Sequence, residues 1–115
     1  MTITLNGIPN CDTVKKARRW LDAQGIEHTF RDFKKDGPSQ DEIMRWGEAA
    51  GWDVLLNKRG TTFRNLDEGE KADLTQDKAI ALMVQHPSLI KRPVLDHENG
   101  TLVGFKEPEW KETLC

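Results

Sequence analysis

The chain has 115 residues, the size of one compact domain, and its 31% charged and 37% hydrophobic residues are typical of a soluble globular protein. Seventeen Lys and Arg against nineteen Asp and Glu give a net charge of −2. This balance disfavours a general nucleic-acid binder, because such proteins carry a basic excess. No apolar run approaches the roughly 20 residues that span a bilayer, and the first residues do not resemble a secretory signal. We therefore expect a cytoplasmic protein that binds neither nucleic acid nor membrane.

The first third of the chain predicts a strand, a helix and a second strand. Residues 2–5 alternate polar and apolar side chains, as a short strand does, and residues 12–24 carry apolar side chains at three- and four-residue spacing, as an amphipathic helix does. Gly25 is placed to end this helix, because helix ends commonly need a left-handed residue. Residues 26–33 predict the second strand, so this third is typical of a βαβ unit with parallel strands.

The middle of the chain predicts mainly helices. Ser39 and Glu42 have the spacing of a capping box and predict a helix start. Residues 54–57 predict a short apolar turn, and residues 58–64 predict a loop rich in hydrogen-bond donors. Another helix is predicted to begin after Thr75. Its buried face is predicted to consist of Ala79, Ile80, Leu82 and Met83.

The final third predicts two strands and a helix. Residues 93–96 and 101–105 predict the strands, and the Glu98-Asn99-Gly100 sequence between them is a strong signal for a hairpin turn. Residues 107–114 predict a closing helix with a proline near its first turn.

The predicted order of elements is β-α-β, a helical insertion, and then β-β-α. Without the insertion, this is the order of a thioredoxin-like α/β fold. We therefore predict a single domain over residues 1–115, with a thioredoxin-like core at 1–35 and 92–115 and a helical insertion at about 36–91.

Cys11 lies between the first predicted strand and the first predicted helix. A cysteine reacts as its thiolate, and a helix N-terminus lowers the thiol pKa through unpaired N–H groups and the helix dipole. The sequence Cys11-Asp12-Thr13-Val14 lacks the second cysteine of a C-x-x-C pair, which excludes a dithiol mechanism within this loop. A buried, unreactive cysteine is the alternative, but the loop position favours a monothiol enzyme that borrows its resolving thiol from glutathione. Cys115 is a less favoured resolving thiol because it is the terminal residue.

Two arginines are the best candidates for holding an anionic substrate near this thiol. Arg59 precedes Gly60, which permits close backbone approach, and Arg92 precedes Pro93 at the start of a predicted strand. A guanidinium group presents a fork of donors that fits a carboxylate or an oxyanion, and it would keep a nearby sulfur ionised. The other basic residues of these two clusters are interpreted as solvated surface charges: Lys58, Arg64 and Lys91.

Pro93 has a second interpretation. In thioredoxin-like folds a cis-proline at the start of this strand lies beside the catalytic cysteine, so analogy alone raises the expectation of a cis bond. The sequence itself leaves the isomer open. The three histidines are isolated from one another, so no metal site is predicted.

Three segments of the chain resemble the arsenate reductase (ArsC) and Spx family, most closely its YffB-like branch. These are residues 7–18, 55–61 and 89–93, in the same order as in the family, and the similarity covers essentially the whole chain. The resemblance implies a thioredoxin-like fold with a helical insertion. It also implies a catalytic group made of three residues: Cys11, Arg59 and Arg92. Around this group we predict further substrate contacts from Asn10, Thr13, Lys15 and Pro93.

The chain also differs from the arsenate reductase pattern at the predicted site. Arsenate reductases of this type have a histidine and an asparagine where this chain has Gly7 and Ile8, and a serine where it has Val14. They also have an arginine where this chain has Phe105-Lys106. The lost hydroxyl and the weaker oxyanion clamp favour the glutathione-dependent thiol reductase activity that the YffB-like branch implies.

The predicted co-substrate is therefore glutathione, with no bound cofactor, and the substrate is a disulfide or an oxyanion. Glutaredoxin is a further candidate partner. Arsenate reduction by the same cysteine is the alternative activity. Binding to RNA polymerase, as in Spx regulators, is a third alternative, which is disfavoured because those relatives often carry the C-x-x-C pair that Val14 precludes.

Overall fold

The computed structural model describes residues 3–98 and 100–115. Two of the sequence predictions fall partly outside the described residues: the strand start at Thr2 and the centre of the hairpin turn at Asn99. The chain divides into two compact units. The first combines the residues up to Asp32 with Arg92–Cys115, and the second is Phe33–Lys91.

The strands are β1 (Thr4–Gly7), β2 (Thr29–Asp32), β3 (Val94–His97) and β4 (Gly100–Val103). The α-helices are α1 (Asp12–Ala23), α2 (Gln40–Ala50), α3 (Trp52–Leu55), α4 (Thr61–Arg64), α5 (Glu68–Lys71), α6 (Gln76–Gln85) and α7 (Glu107–Leu114), and a 3-10 helix spans Pro87–Leu89. None of the helices within the described ranges is long and apolar enough to cross a bilayer.

The first unit is built on a mixed four-stranded sheet in the order β2-β1-β3-β4. β1 and β2 are parallel, joined by α1, whereas β1 with β3 and β3 with β4 are antiparallel. Parallel neighbours require a crossover helix, while antiparallel neighbours can be joined by a hairpin, and the chain uses both. The predicted thioredoxin-like α/β fold, β-α-β followed by β-β-α with a helical insertion, is confirmed.

The core of this unit lies between the sheet and helices α1 and α7. Its buried side chains alternate along the strands and recur every three or four residues along α1, as the two backbone periods require. Trp110 of α7 is completely buried, and its ring meets Phe105 edge-on with centroids 4.9 Å apart. Its indole N–H donates to the Gly104 carbonyl at 3.1 Å. The other buried members are Ile3, Leu5, Ala17, Trp20, Leu21, Leu95 and Leu102.

α1 ends where the sequence predicted, in a turn that needs a glycine. Gly25 has a φ of +69°, a left-handed conformation that side chains disfavour. Its N–H donates to the Asp22 carbonyl at 3.1 Å, and the Ile26 N–H donates to the Leu21 carbonyl at 3.0 Å. This pair of bonds is a Schellman motif, which satisfies carbonyls at the end of the helix and turns the chain towards β2.

The second unit is helical, and its two longest helices begin as predicted. The Ser39 hydroxyl accepts from the Glu42 N–H at 3.2 Å while the Glu42 carboxylate accepts from the Ser39 N–H at 3.0 Å, a complete capping box at the start of α2. The Thr75 hydroxyl caps α6 by accepting from the Lys78 N–H at 3.3 Å. The buried face of α6 is the predicted one: Ala79, Ile80, Leu82 and Met83.

Three short α-helices of this unit were not predicted. Part of the expected apolar turn at residues 54–57 belongs to α3, and the expected donor-rich loop at residues 58–64 contains α4. The third, α5, begins at the N-cap Asp67. Each has four residues, about one turn, so the apolar spacing that identifies a longer helix cannot appear in the sequence.

The strand boundaries also differ from the predictions by a few residues. β1 continues to Gly7 because Asn6 and Gly7 pair with β2, although both residue types disfavour strands. β2 is shorter than the predicted 26–33, since the residues just after Gly25 complete the helix end. Tertiary pairing overrides local propensity at both places.

Candidate active site

Cys11 is the N-cap residue of α1. Its backbone is extended, with φ −78° and ψ 126°, and its carbonyl accepts the first helical bond from the Lys15 N–H at 3.0 Å. Its own N–H donates to the Ile8 carbonyl at 3.1 Å, closing the turn that leads from β1. The sulfur thus occupies the place where a serine, threonine or aspartate oxygen usually caps a helix. The side chain is partly exposed, so the thiol is accessible to a substrate.

The surroundings of Cys11 favour its thiolate form. Partial burial raises the thiol pKa, but the backbone N–H of Val14, a hydrogen bond from Arg92 and the N–H of Thr13 all lower it, and so does the positive charge of Arg92. The pKa of the Cys11 thiol therefore lies below its ordinary value. The Cys11 side chain makes no capping hydrogen bond. The N–H groups of Thr13 and Val14 nevertheless favour the anionic form of its sulfur at this helix start.

Arg92 and Pro93 come from the segment that enters β3. The Arg92–Pro93 peptide bond is cis, as the analogy with thioredoxin-like folds led us to expect. Pro93 is buried, and its carbonyl accepts from the Gly104 N–H at 2.8 Å. A hydrogen bond from Arg92 and its positive charge both lower the pKa of the Cys11 thiol, so these two predicted site residues come together within the first unit.

Asn6 is a positioning residue that the sequence analysis missed. It is only 1% exposed, and its side-chain N–H donates to the Val94 carbonyl at 3.0 Å. β1 leads into the Cys11 loop and β3 begins two residues after Arg92, so this bond ties together the two strands next to the candidate site. A buried polar side chain in a strand needs such a partner, and an asparagine within a strand pattern was the available signal.

Gly7 and Val14 occupy one space between β1 and α1. A Cβ atom placed on Gly7 would lie 2.8 Å from one γ-methyl of Val14 and 3.3 Å from the other. Val14 itself is completely buried. Two of the differences from the arsenate reductase pattern are therefore coupled, because the valine methyls fill the space that a side chain at position 7 would need.

Arg59 lies in the second unit, in the exposed segment just before α4. Its N–H donates to the Asn57 side-chain carbonyl at 3.1 Å, and its carbonyl accepts from the Arg64 guanidinium at 3.2 Å. Arg64, interpreted from the sequence as a solvated charge, thus holds the backbone of Arg59. Asn57 thus forms an Asx-turn, in which its side-chain oxygen accepts from the backbone two residues on. Asparagine commonly does this, so the sequence could have indicated the turn.

The remaining predicted contacts are on the surface of the first unit. The side chains of Asn10, Thr13 and Lys15 are exposed, and of these residues only Thr13 acts on the sulfur, through its backbone N–H. Their roles as substrate contacts remain predictions. In the described part of the chain, no group of three or more His, Cys, Asp or Glu side chains could hold a metal ion.

The sheet topology, together with a cysteine of lowered thiol pKa at the start of the first helix, is that of a thioredoxin-like thiol protein. Comparison with protein families makes this more specific, because the ArsC family model matches residues 6–113. The chain therefore belongs to the ArsC family.

Three proteins are similar to the chain over nearly its full length. The chain is 49% identical to a structurally solved protein named YFFB, over 98% of this chain and 99% of that one, with a TM-score of 0.96. It is 45% identical to an uncharacterized protein of Haemophilus influenzae, over 98% of this chain and 99% of the relative. It is 43% identical to an arsenate reductase-related protein from Brucella melitensis, over 97% and 93% of the two chains, with a TM-score of 0.77. The chain is thus related to arsenate reductases.

Proposed function

We propose that the protein is a glutathione-dependent thiol reductase with a single nucleophilic cysteine, Cys11. The observation that carries this proposal is the lowered pKa of the Cys11 thiol, at the start of α1 and beside Arg92. A thiolate is the attacking species in thiol–disulfide exchange. Because position 14 holds a valine, the resolving thiol comes from another molecule, and glutathione is the abundant one. A cytoplasmic location, where thiols are kept reduced, fits this reaction.

The reaction runs in two exchanges. The Cys11 thiolate attacks the glutathione sulfur of a mixed disulfide, and the substrate leaves as a thiolate that takes up a proton. A second glutathione, as its thiolate, then attacks the Cys11–glutathione disulfide and releases oxidised glutathione and the free Cys11 thiolate. The net reaction converts one mixed disulfide and one glutathione into one substrate thiol and one oxidised glutathione.

Arg92 has two roles in this scheme. It keeps the Cys11 sulfur ionised, and its guanidinium presents donors to a carboxylate of glutathione. Arg59 is assigned to the anionic partner as well, with Asn57 and Arg64 holding its backbone in place. Surface contacts to the substrate are assigned to Asn10, Thr13, Lys15 and Pro93. Glutaredoxin is an alternative acceptor of the glutathione moiety.

The test is turnover of the mixed disulfide of cysteine and glutathione, followed as oxidised glutathione formed. We expect Cys11→Ser to reduce activity to the uncatalysed rate, while the matched variant Cys115→Ser keeps it. Mass spectrometry of the wild type after exposure to oxidised glutathione is expected to find one adduct, on Cys11, that reduced glutathione removes.

Two results would contradict the proposal. One is activity that survives Cys11→Ser, and the other is a Cys11 alkylation rate that rises with pH only around the ordinary thiol pKa of about 8.5. Arsenate is assayed in parallel, because the chain is similar to an arsenate reductase-related protein. Arsenate-dependent oxidation of glutathione, without turnover of the mixed disulfide, would mean that the activity is arsenate reduction and not thiol reduction.

A further inference from the structure

α1 carries a row of basic side chains beyond the reactive cysteine. Lys15, Lys16 and Arg19 are all exposed, and we call these three residues the basic ridge. The acidic residues of α1 stand near its two ends, at Asp12 and Asp22. The middle of the exposed helix surface is therefore positive, although the whole chain has a net charge of −2.

In the part of the chain that the structure describes, the fold makes no internal use of the basic ridge. Within the described residues, none of its three charged groups is held in an ion pair or a side-chain hydrogen bond. The neighbouring Arg18 differs, because its guanidinium lies over the Phe30 ring at 4.4 Å from the centroid and covers it. Exposed charged side chains without such a partner among the described residues are available to an external partner.

The basic ridge begins beside the nucleophile. Cys11, Lys15 and Arg19 are spaced four residues apart, so they follow one side of the helix, one turn after another. A rise of 1.5 Å per residue places Arg19 about 12 Å along the axis from Cys11. An extended peptide covers that distance in about four residues. A substrate whose sulfur meets Cys11 therefore places nearby side chains over the ridge.

We propose that the basic ridge is a docking surface for protein substrates, and that it selects glutathione mixed disulfides in acidic segments. The chemistry that fits it is an Asp or Glu side chain within about four residues of the modified cysteine. This inference rests on the proposed function and names the substrate class of the same site. The two thiol–disulfide exchanges at Cys11 are unchanged. In the first exchange, the cysteine of the acidic segment leaves as a thiolate and takes up a proton.

Nucleic acid is the other class of anion that a basic surface attracts. Binding of that kind grows with the number of phosphates neutralised, and three basic residues on one helix offer few such contacts. A short acidic segment needs only two or three pairings, which the basic ridge supplies. The small number of charges therefore favours the acidic peptide.

The test uses two short peptides that each contain one glutathionylated cysteine. In one peptide the residues three and four positions to either side are acidic, and in the other they are serine. We expect kcat/KM for the acidic peptide to be about tenfold higher at low salt, because complementary charge raises the association rate. The advantage is expected to shrink at about 0.5 M salt, where screening is strong.

Charge reversal on the ridge provides the variant. The double variant Lys16→Glu/Arg19→Glu is expected to remove the preference or to invert it towards the serine peptide. The matched control is Lys111→Glu, which makes the same kind of charge change on an exposed position of α7 and is expected to keep the preference. Lys15 stays intact in these variants because it is a predicted substrate contact.

The outcomes separate this inference from the proposed function. Equal kcat/KM for both peptides, with the mixed disulfide of cysteine and glutathione still turned over, would overturn the docking surface alone. If that small disulfide is not turned over, the thiol reductase proposal fails. Fluorescence anisotropy then tests the docking surface by comparing the binding of the unmodified acidic and serine peptides, and equal binding of the two would overturn it. Tighter binding of a single-stranded RNA than of the acidic peptide would also overturn the inference.

Discussion

The lowered pKa of the Cys11 thiol depends on where the backbone places its sulfur. At the N-cap position the Thr13 and Val14 N–H groups have no helical carbonyl to bind, so an anion there compensates them. Arg92 adds a positive charge that also favours the thiolate. Together these groups outweigh the cost of partial burial.

Replacement of Arg92 by methionine tests this balance at the residue scale. The rate of alkylation by iodoacetamide follows the thiolate fraction, so it rises with pH and levels off above the thiol pKa. In the wild type this midpoint is expected below the ordinary thiol value, and Arg92→Met is expected to move it to higher pH. At neutral pH the variant therefore reacts more slowly.

The control for this measurement is Arg19→Met, which removes a positive charge from α1 that does not act on the sulfur. Its alkylation midpoint is expected to match the wild type. An unchanged midpoint in Arg92→Met would mean that the helix N-terminus alone stabilises the thiolate.

At the scale of elements, the approach of β1 to α1 decides what can surround the thiol. Gly7 ends β1 and Val14 lies on the inner face of α1, and the missing Cβ lets the two elements approach closely. The Cys11 loop spans this contact, so the packing of the two elements also sets its shape.

The variant Gly7→Ala is expected to be destabilised by about 1–3 kcal/mol, as is typical of an overpacked core. Val14→Ala alone opens a cavity and is expected to be destabilised as well. In the double variant the new methyl has room, so the combined cost is expected to be smaller than the sum of the two single costs. Urea unfolding of the four proteins measures this coupling, and additive costs would show that positions 7 and 14 are independent.

At the scale of the whole molecule, a cluster of three aromatic rings joins the last helix to the first; its members are Trp20, Phe105 and Trp110. Trp110 of α7 meets Trp20 of α1 with ring centroids 6.2 Å apart, and it also contacts Phe105. Its indole N–H bonds to Gly104 in the turn after β4. The C-terminal helix therefore completes the core that supports the sheet and α1.

Trp110→Ala is expected to lower the free energy of unfolding by about 3–5 kcal/mol, the usual cost of emptying a buried aromatic site. Trp110→Phe is expected to cost less, because it keeps aromatic contacts and loses the bond to Gly104. Urea unfolding is the measurement, with the exposed Val54→Ala as a control expected within about 0.5 kcal/mol of the wild type. A similarly small effect of Trp110→Ala would mean that α7 is not needed for the core.

Much of the fold could be predicted from local signals. The capping box at Ser39, the helix end at Gly25 and the buried face of α6 each depend on residues within one or two turns, so the sequence contains the whole signal. The helix α4 was missed because one turn has no period to detect. The pairing of Asn6 in β1 was missed because it depends on two other strands.

The sequence by itself determined that this chain has a thioredoxin-like order of elements, one cysteine at the start of a helix and no second cysteine beside it. These features follow from periodicity, capping and spacing along the chain. Only the tertiary structure decided that Arg92 reaches the Cys11 sulfur, that Asn6 ties β1 to β3, and that Arg64 holds Arg59. The physical reason is that charge and hydrogen bonding act over a few ångströms in space, and sequence separation does not measure that distance.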